Sequence, residues 1–140
     1  MLRLVARWSM DIIEFLEARI SEDEAVAQAA SPAPWEWFRK DGTRSPALYA
    51  ADEQAVLDAY ADDVPGYLSS KDEDRIYIAQ FNPGRILAEC AAKRQIMANV
   101  PLVVTDMASE VGGTSEYVLM CMASPYRDHP DYQEGWAIEL

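Results

Sequence analysis

The run Ser31-Pro32-Ala33-Pro34 constrains this chain more than any other feature. Two prolines in four residues remove two backbone donors and hold their neighbours extended, so neither a helix nor a central strand passes through. Further boundaries stand at Asn82-Pro83, at Pro101 and at Ser124-Pro125. Whatever lies between them has to be assembled from short elements. A chain of 140 residues supports one compact domain and leaves little room for two.

Residues 10–30 read as an amphipathic helix. Ile12, Ile13, Leu16 and Ile20 recur at helical spacing, while Glu14, Glu17, Glu22 and Glu24 fall largely elsewhere, and Ser9 or Asp11 can cap the start. Residues 1–9 form an N-terminal extension whose Leu2, Leu4, Val5 and Trp8 would prolong the apolar face. Residues 35–60 carry three short runs, Trp35–Phe38, Ala47–Ala50 and Ala55–Tyr60, with Asp41-Gly42 and Asp52-Glu53-Gln54 between them. Asp-Gly is a hairpin signal, so a small antiparallel β-meander is expected. Residues 61–74 hold Pro65-Gly66 and five acids and read as a loop. Arg75–Ala79 is either a last strand or a helix entry.

Asn82-Pro83 opens a second main helix over 82–98, with Asn as cap and Pro at the first helical position, where its missing amide costs nothing. Ile86, Leu87, Cys90 and Met97 face inward; Arg85, Glu89 and Lys93 line the other side at i, i+4 spacing. Pro101 ends this helix. Gly112-Gly113-Thr114 turns into a third helix over 114–124, and residues 125–140 form a tail with Tyr126, Tyr132 and Trp136. The expected fold is α+β, a single small domain. Two main helices pack on a short antiparallel β-meander, followed by a C-terminal helix and an ordered aromatic tail. Ile13, Leu16, Ile20, Ile86, Leu87, Cys90 and Met97 make up the expected core.

Charge and rare residues narrow the function. The chain has 24 acidic and 12 basic residues, a net charge of −12. This balance repels phosphate backbones and anionic lipid, so neither direct nucleic-acid binding nor a membrane partner is expected. No apolar run approaches the ~20 residues that span a bilayer, and the expected location is the cytoplasm of a bacterial host. The single histidine, His129, and two distant cysteines, Cys90 and Cys121, lack the four-ligand spacing of a zinc site. Both thiols read as buried small hydrophobes. Asp62-Asp63 and Asp72 with Asp74 do not follow a calcium-loop pattern, and Gly112-Gly113 lacks the lysine of a phosphate loop. No metal, cofactor or catalytic residue is therefore expected. The best constellation for a small hydrolase is His129 with Asp128 and Asp131, beside Tyr126 and Tyr132, but Asp-His-Pro-Asp serves equally as a turn and helix start.

Three binding readings remain. In the favoured one the chain docks on a host protein, with a homodimer as a further option. Trp35, Trp37 and Trp136 supply aromatic contact area, and Tyr126, His129, Asp131 and Tyr132 join them from the tail. Residues 75–104 hold Arg75, Arg85, Lys93 and Arg94 against Glu89 alone, a local +3, whereas residues 41–74 hold Arg44 and Lys71 against nine acids, a local −7. Arg85, Lys93 and Arg94 thus form a candidate basic recognition face. In the second reading the four cations hold a nucleotide-like ligand whose base stacks on Tyr77 or Phe81. The third is mimicry of nucleic acid by aligned acids. A deep pocket lined by the cations would favour the second; a shallow aromatic patch with an acidic rim would favour the first.

Three stretches also carry a family resemblance. They are Met10–Ile20 with Glu22-Asp23-Glu24, then Ser31-Pro32-Ala33-Pro34-Trp35, and Arg85-Ile86-Leu87-Ala88-Glu89-Cys90 with Lys93-Arg94; the tail Pro125-Tyr126-Arg127-Asp128-His129-Pro130-Asp131-Tyr132 with Trp136 completes them. Over most of residues 10–136 the chain resembles a family of small uncharacterised proteins of actinobacteria, such as Streptomyces and mycobacteria, and of their phages. The tail is the most specific part. The resemblance implies a phage or prophage accessory setting and no mechanism. Members usually read H-I-A-R-H-D-P-A-R-V-L where this chain has Tyr77–Leu87, so both of those histidines are aromatic here and any metal or proton role they had is lost.

Overall fold

The computed structural model describes residues 11–61, 64–107 and 115–140. The extension over residues 1–9, the Ser9 cap, the Asp62-Asp63 pair and the Gly112-Gly113-Thr114 turn lie outside them. Helix α1 (Ile12–Ala29) starts at Asp11, whose Oδ1 accepts the Glu14 amide at 2.8 Å. Strands β1 (Glu36–Phe38), β2 (Ala47–Tyr49) and β3 (Ala55–Leu57) follow as an antiparallel sheet in the order β1-β2-β3. Gly42, at φ 79°, takes the left-handed conformation between β1 and β2. Between β2 and β3 Glu53 does the same at φ 67°, next to Asp52, whose Oδ1 accepts the Gln54 amide at 3.1 Å. The fold is α+β.

Several elements differ from expectation. Within the expected acidic loop, β4 (Tyr60–Ala61) and β5 (Val64–Pro65) pair antiparallel, and helix α2 (Asp72–Gln80) absorbs both the end of that loop and Arg75–Ala79. No side chain of α2 is buried, so it shows no apolar period to read. Its start is favoured by Asp72, Glu73 and Asp74, which face the positive end of the helix dipole. Helix α3 runs from Pro83 to Met107, so Pro101 lies inside it rather than ending it. The helix carries the loss of that one amide donor. Helix α4 (Ser115–Ala123) leads into a 3₁₀ turn at Ser124–Tyr126, and a second one covers Glu134–Trp136.

The chain divides into two compact units, one holding the chain up to Asp23 with Cys90–Leu140, the other Glu24–Glu89. In the first, Phe15, Leu16, Leu119, Ala123 and Trp136 form the buried cluster, with Met97 and Tyr132 among the residues packed against it. Ile20 and Cys90 are buried as well. Ile13 is instead 46 % exposed, because the buried stripe of α1 runs through positions 12, 15, 16, 19 and 20, and position 13 lies beyond its edge. Cys121 is exposed, unlike Cys90.

In the second unit the inner face of the sheet is Trp37 with the fully buried Leu48, which are register partners. The Trp37 indole N–H donates to the Arg75 carbonyl at 2.7 Å and so ties β1 to α2. Ile86 and Leu87 are half-buried. A Cβ on Gly84 would come within 2.8 Å of the Ala33 Cβ, so the start of α3 sits against the proline turn closely enough that the residue needs to be small.

Candidate interaction surface

The end of α2 and the start of α3 build an exposed row of side chains. Phe81 caps α2, its amide donating to the Tyr77 carbonyl at 3.0 Å. Asn82 then works in both directions: its Oδ1 accepts the Arg85 amide at 3.1 Å and its Nδ2 donates to the Ala79 carbonyl at 3.0 Å. The junction between the helices is therefore fixed by hydrogen bonds. Across it Tyr77 and Phe81 stack at 4.4 Å with 23° between their planes, the Arg85 guanidinium covers Phe81 at 4.1 Å, and Arg85 Nε donates to Glu89 at 3.0 Å. Ile76 is 64 % exposed, Tyr77 61 % and Phe81 38 %. Tyr77 and Phe81 thus present two large rings side by side to solvent, and Ile76 is exposed beside them in sequence. The rim of this row is acidic, with exposed Asp72, Glu73 and Asp74 at one end and Glu89 at the other.

Of the sequence candidates in this unit, Arg85 belongs to the row. Trp35 and Trp37 do not present free edges. Both are half-buried, and the Trp35 N–H donates to the Ser31 carbonyl at 2.9 Å, as that of Trp37 does to Arg75. Arg75 is turned to Ser70 at 3.2 Å and pairs with Asp72.

The other candidates lie in the first unit, where the tail folds onto α1. The Phe15 ring meets those of Tyr126, His129, Tyr132 and Trp136 at centroid distances of 6.3, 5.7, 6.0 and 5.1 Å. Arg19, buried, lies 5.2 Å above Phe15 and donates to both Glu22 carboxylate oxygens at 3.0 Å. It also donates to His129 Nδ1 at 2.9 Å, and the Asp131 amide donates to that same nitrogen at 3.1 Å. Two donors on Nδ1 place the ring proton on Nε2. His129 is half-buried by these contacts rather than lying at the surface. Lys93 donates to the Tyr126 hydroxyl at 3.2 Å, which donates to Asp23 at 2.5 Å. Burial, then the hydrogen bond to Asp23 and its charge, raise the Tyr126 phenol well above its ordinary value. Arg94 donates to Ser21 at 3.1 Å. Tyr126, His129, Tyr132, Trp136 and Lys93 are thus drawn into the packing of this unit.

Among the described residues no group of three or more His, Cys, Asp or Glu side chains is placed to hold a metal ion. No helix in them is long and apolar enough to cross a membrane. Sequence reasoning offered Tyr77 and Phe81 only as stacking partners for a base; the signal it passed over was that these rings and Arg85 share one helical row across the Asn82-Pro83 junction.

The fold is α+β, and the tail is held on α1 by aromatic packing. Over residues 9–138 the chain matches the family of unknown function DUF6221 and belongs to it. No curated protein and no solved structure matches the chain.

Proposed function

We propose that the chain is a non-enzymatic protein-binding module that docks on a host protein and blocks it, in the setting of an actinobacterial phage or prophage accessory protein acting in the host cytoplasm. The observation that carries this reading is the solvated Ile76–Tyr77–Phe81 patch on a hydrogen-bonded helix junction. Aromatic rings with few rotamers bury much area at low entropic cost, and an arginine stacked on them adds a polar anchor, the composition of interface hot spots. The acidic rim and the net charge of −12 select a partner surface that is apolar at its centre and basic around it. The four cations Arg75, Arg85, Lys93 and Arg94 are each taken up by side chains of the protein, which supports a protein partner over a nucleotide held by that set.

The test compares capture by the parent chain and by Tyr77→Ala/Phe81→Ala from an actinobacterial lysate, read by mass spectrometry and repeated with the purified partner at rising salt. Both side chains are exposed, so circular dichroism should show an unchanged fold. A basic partner lost by the double variant and weakened by salt is the expected result. A partner that the double variant retains would overturn the assignment of this face. A dimer of the chain that the double variant abolishes would reassign the face to self-association.

A further inference from the structure

The exposed row across the α2–α3 junction repeats every four residues, through Glu73, Tyr77, Phe81, Arg85 and Glu89. Phe81 holds the centre. The Tyr77 ring lies nearly parallel to it at 4.4 Å, and the Arg85 guanidinium stands 4.1 Å from the same ring centre. Two planar groups this close to one centre need opposite faces, so both faces of Phe81 are taken. Tyr77 keeps more of its surface in solvent. Phe81 covers one of its faces, and among the described residues no other ring or cation lies on it. Arg75, the nearest cation in sequence, is turned to Ser70 and Asp72 instead. The two ends of the row differ in the same way. At the α3 end the carboxylate of Glu89 accepts from Arg85 at 3.0 Å. At the α2 end Glu73 and Asp74 are exposed, and neither forms a salt bridge among the described residues. They precede Tyr77 by four and three residues, and a helical side chain leans over the turn before its own Cα.

We infer that the free face of Tyr77 receives an arginine side chain from a partner polypeptide, its guanidinium stacked on the ring and paired with the Glu73 carboxylate. The chain already builds this unit once from its own residues, with Arg85 on Phe81 and Glu89 behind it. At the α2 end the ring and the carboxylate are present and the cation is not. A guanidinium is planar and weakly hydrated, so it stacks on a ring and pairs with a carboxylate at once; a lysine ammonium is compact and strongly hydrated. An anion is repelled by Glu73 and Asp74, and an apolar side chain leaves both without a counter-charge. This inference rests on the protein-binding reading of the same face and names what the partner presents there. It makes Tyr77 the anchoring contact and Phe81 its support.

The experiment is an amide-resonance titration of the full chain at low salt with a blocked glycine pentapeptide carrying arginine at its centre. Counterparts with lysine or with citrulline, which keeps the shape of arginine without its charge, and free arginine complete the series. The arginine peptide is expected to shift Glu73 and Tyr77 saturably, with the lysine peptide severalfold and the citrulline peptide roughly tenfold weaker. Glu73→Gln and Tyr77→Leu, both at exposed positions, should weaken the arginine peptide severalfold, and Tyr77→Phe should retain it. Glu139→Gln, which removes the same charge in the other unit, should change little. The inference fails if no saturable shift is seen, if citrulline binds as well as arginine, or if Glu139→Gln costs as much as Glu73→Gln. Tighter binding of free arginine than of the peptide would also overturn it, since that marks a small-molecule site. A host protein captured through this face by a chain that ignores the arginine peptide would sink this inference and leave the protein-binding reading standing. Arginine-peptide binding without any captured host protein would do the reverse. The peptide series is read on the parent chain, so it decides even where a variant fails to fold.

Discussion

Phe15 is fully buried and touches four tail rings while lying under the Arg19 guanidinium, so its removal opens a void with many losers. Phe15→Ala should cost ~3–5 kcal/mol in denaturant unfolding, and Leu87→Ala, at a half-buried position, clearly less. Equal costs for the two would show that the Phe15 cluster is not the tighter packing. The sequence pointed to Ile13 instead, and the reason is physical. Two adjacent stripes of α1 both satisfy helical spacing, and the buried one contains Arg19, whose charge disguises it until Glu22 and His129 are seen to receive it. Tyr126 supplies a test by pH. Its phenol is raised in the folded chain above the 10.0 of an ordinary tyrosine, so the neutral form stabilises the fold. That contribution is complete below the unfolded value and is lost as pH climbs towards the folded one. Stability should therefore fall on the alkaline side of pH 10, and Tyr126→Phe should flatten that fall; an alkaline limb of unchanged steepness in the variant would contradict the burial and Asp23 bond described for it.

Elements were legible where a local rule sets them. Asp11, Asp41-Gly42, Asp52 and Asn82 each carry a cap or turn whose chemistry is contained in a few residues, and there the boundaries came close. Helix α2 was legible only as one of two readings of Arg75–Ala79, and its start in the expected loop not at all, because it buries nothing of its own and is fastened from outside, by the Trp37 indole on the Arg75 carbonyl. The continuation of α3 past Pro101 was missed for the opposite reason, since a strong local stop signal is outweighed there. The candidate surface suffered similarly: exposed rings look like core residues in a sequence, and only the junction at Asn82 shows that Tyr77, Phe81 and Arg85 form one row. Two predictions belong here. Asn82→Ala should destabilise by ~0.5–2 kcal/mol through loss of the α3 cap, measured by thermal unfolding. Trp37→Phe keeps an aromatic ring but removes the donor and part of the indole's volume, so it should cost ~1–3 kcal/mol and raise hydrogen exchange in α2 more than in α1. Uniform exchange changes would mean that the indole bond does not hold that helix.

For the molecule as a whole, a charge of −12 sets a background that any anionic partner has to overcome. Capture of a basic partner should accordingly weaken as salt is raised, and Asp72→Asn with Glu73→Gln and Asp74→Asn should weaken it at low salt, with a small drop in melting temperature from the α2 start that these acids favour. Removing residues 126–140 acts differently, because it takes Trp136 and Tyr132 from the Phe15 cluster; the melting temperature should drop by several degrees, as seen by calorimetry. That arrangement has a consequence for biosynthesis. Phe15 leaves the ribosome well before the rings that cover it, from Tyr126 to Trp136, are made. At ~5–20 residues per second, roughly ten seconds separate the two. During that interval α1 shows the apolar stripe that a holdase chaperone recognises, and a transcript cut short before Trp136 yields a chain that never hides it. Quality control by proteolysis would then discriminate chains that carry Trp136 from chains cut short before it by a single exposed phenylalanine face.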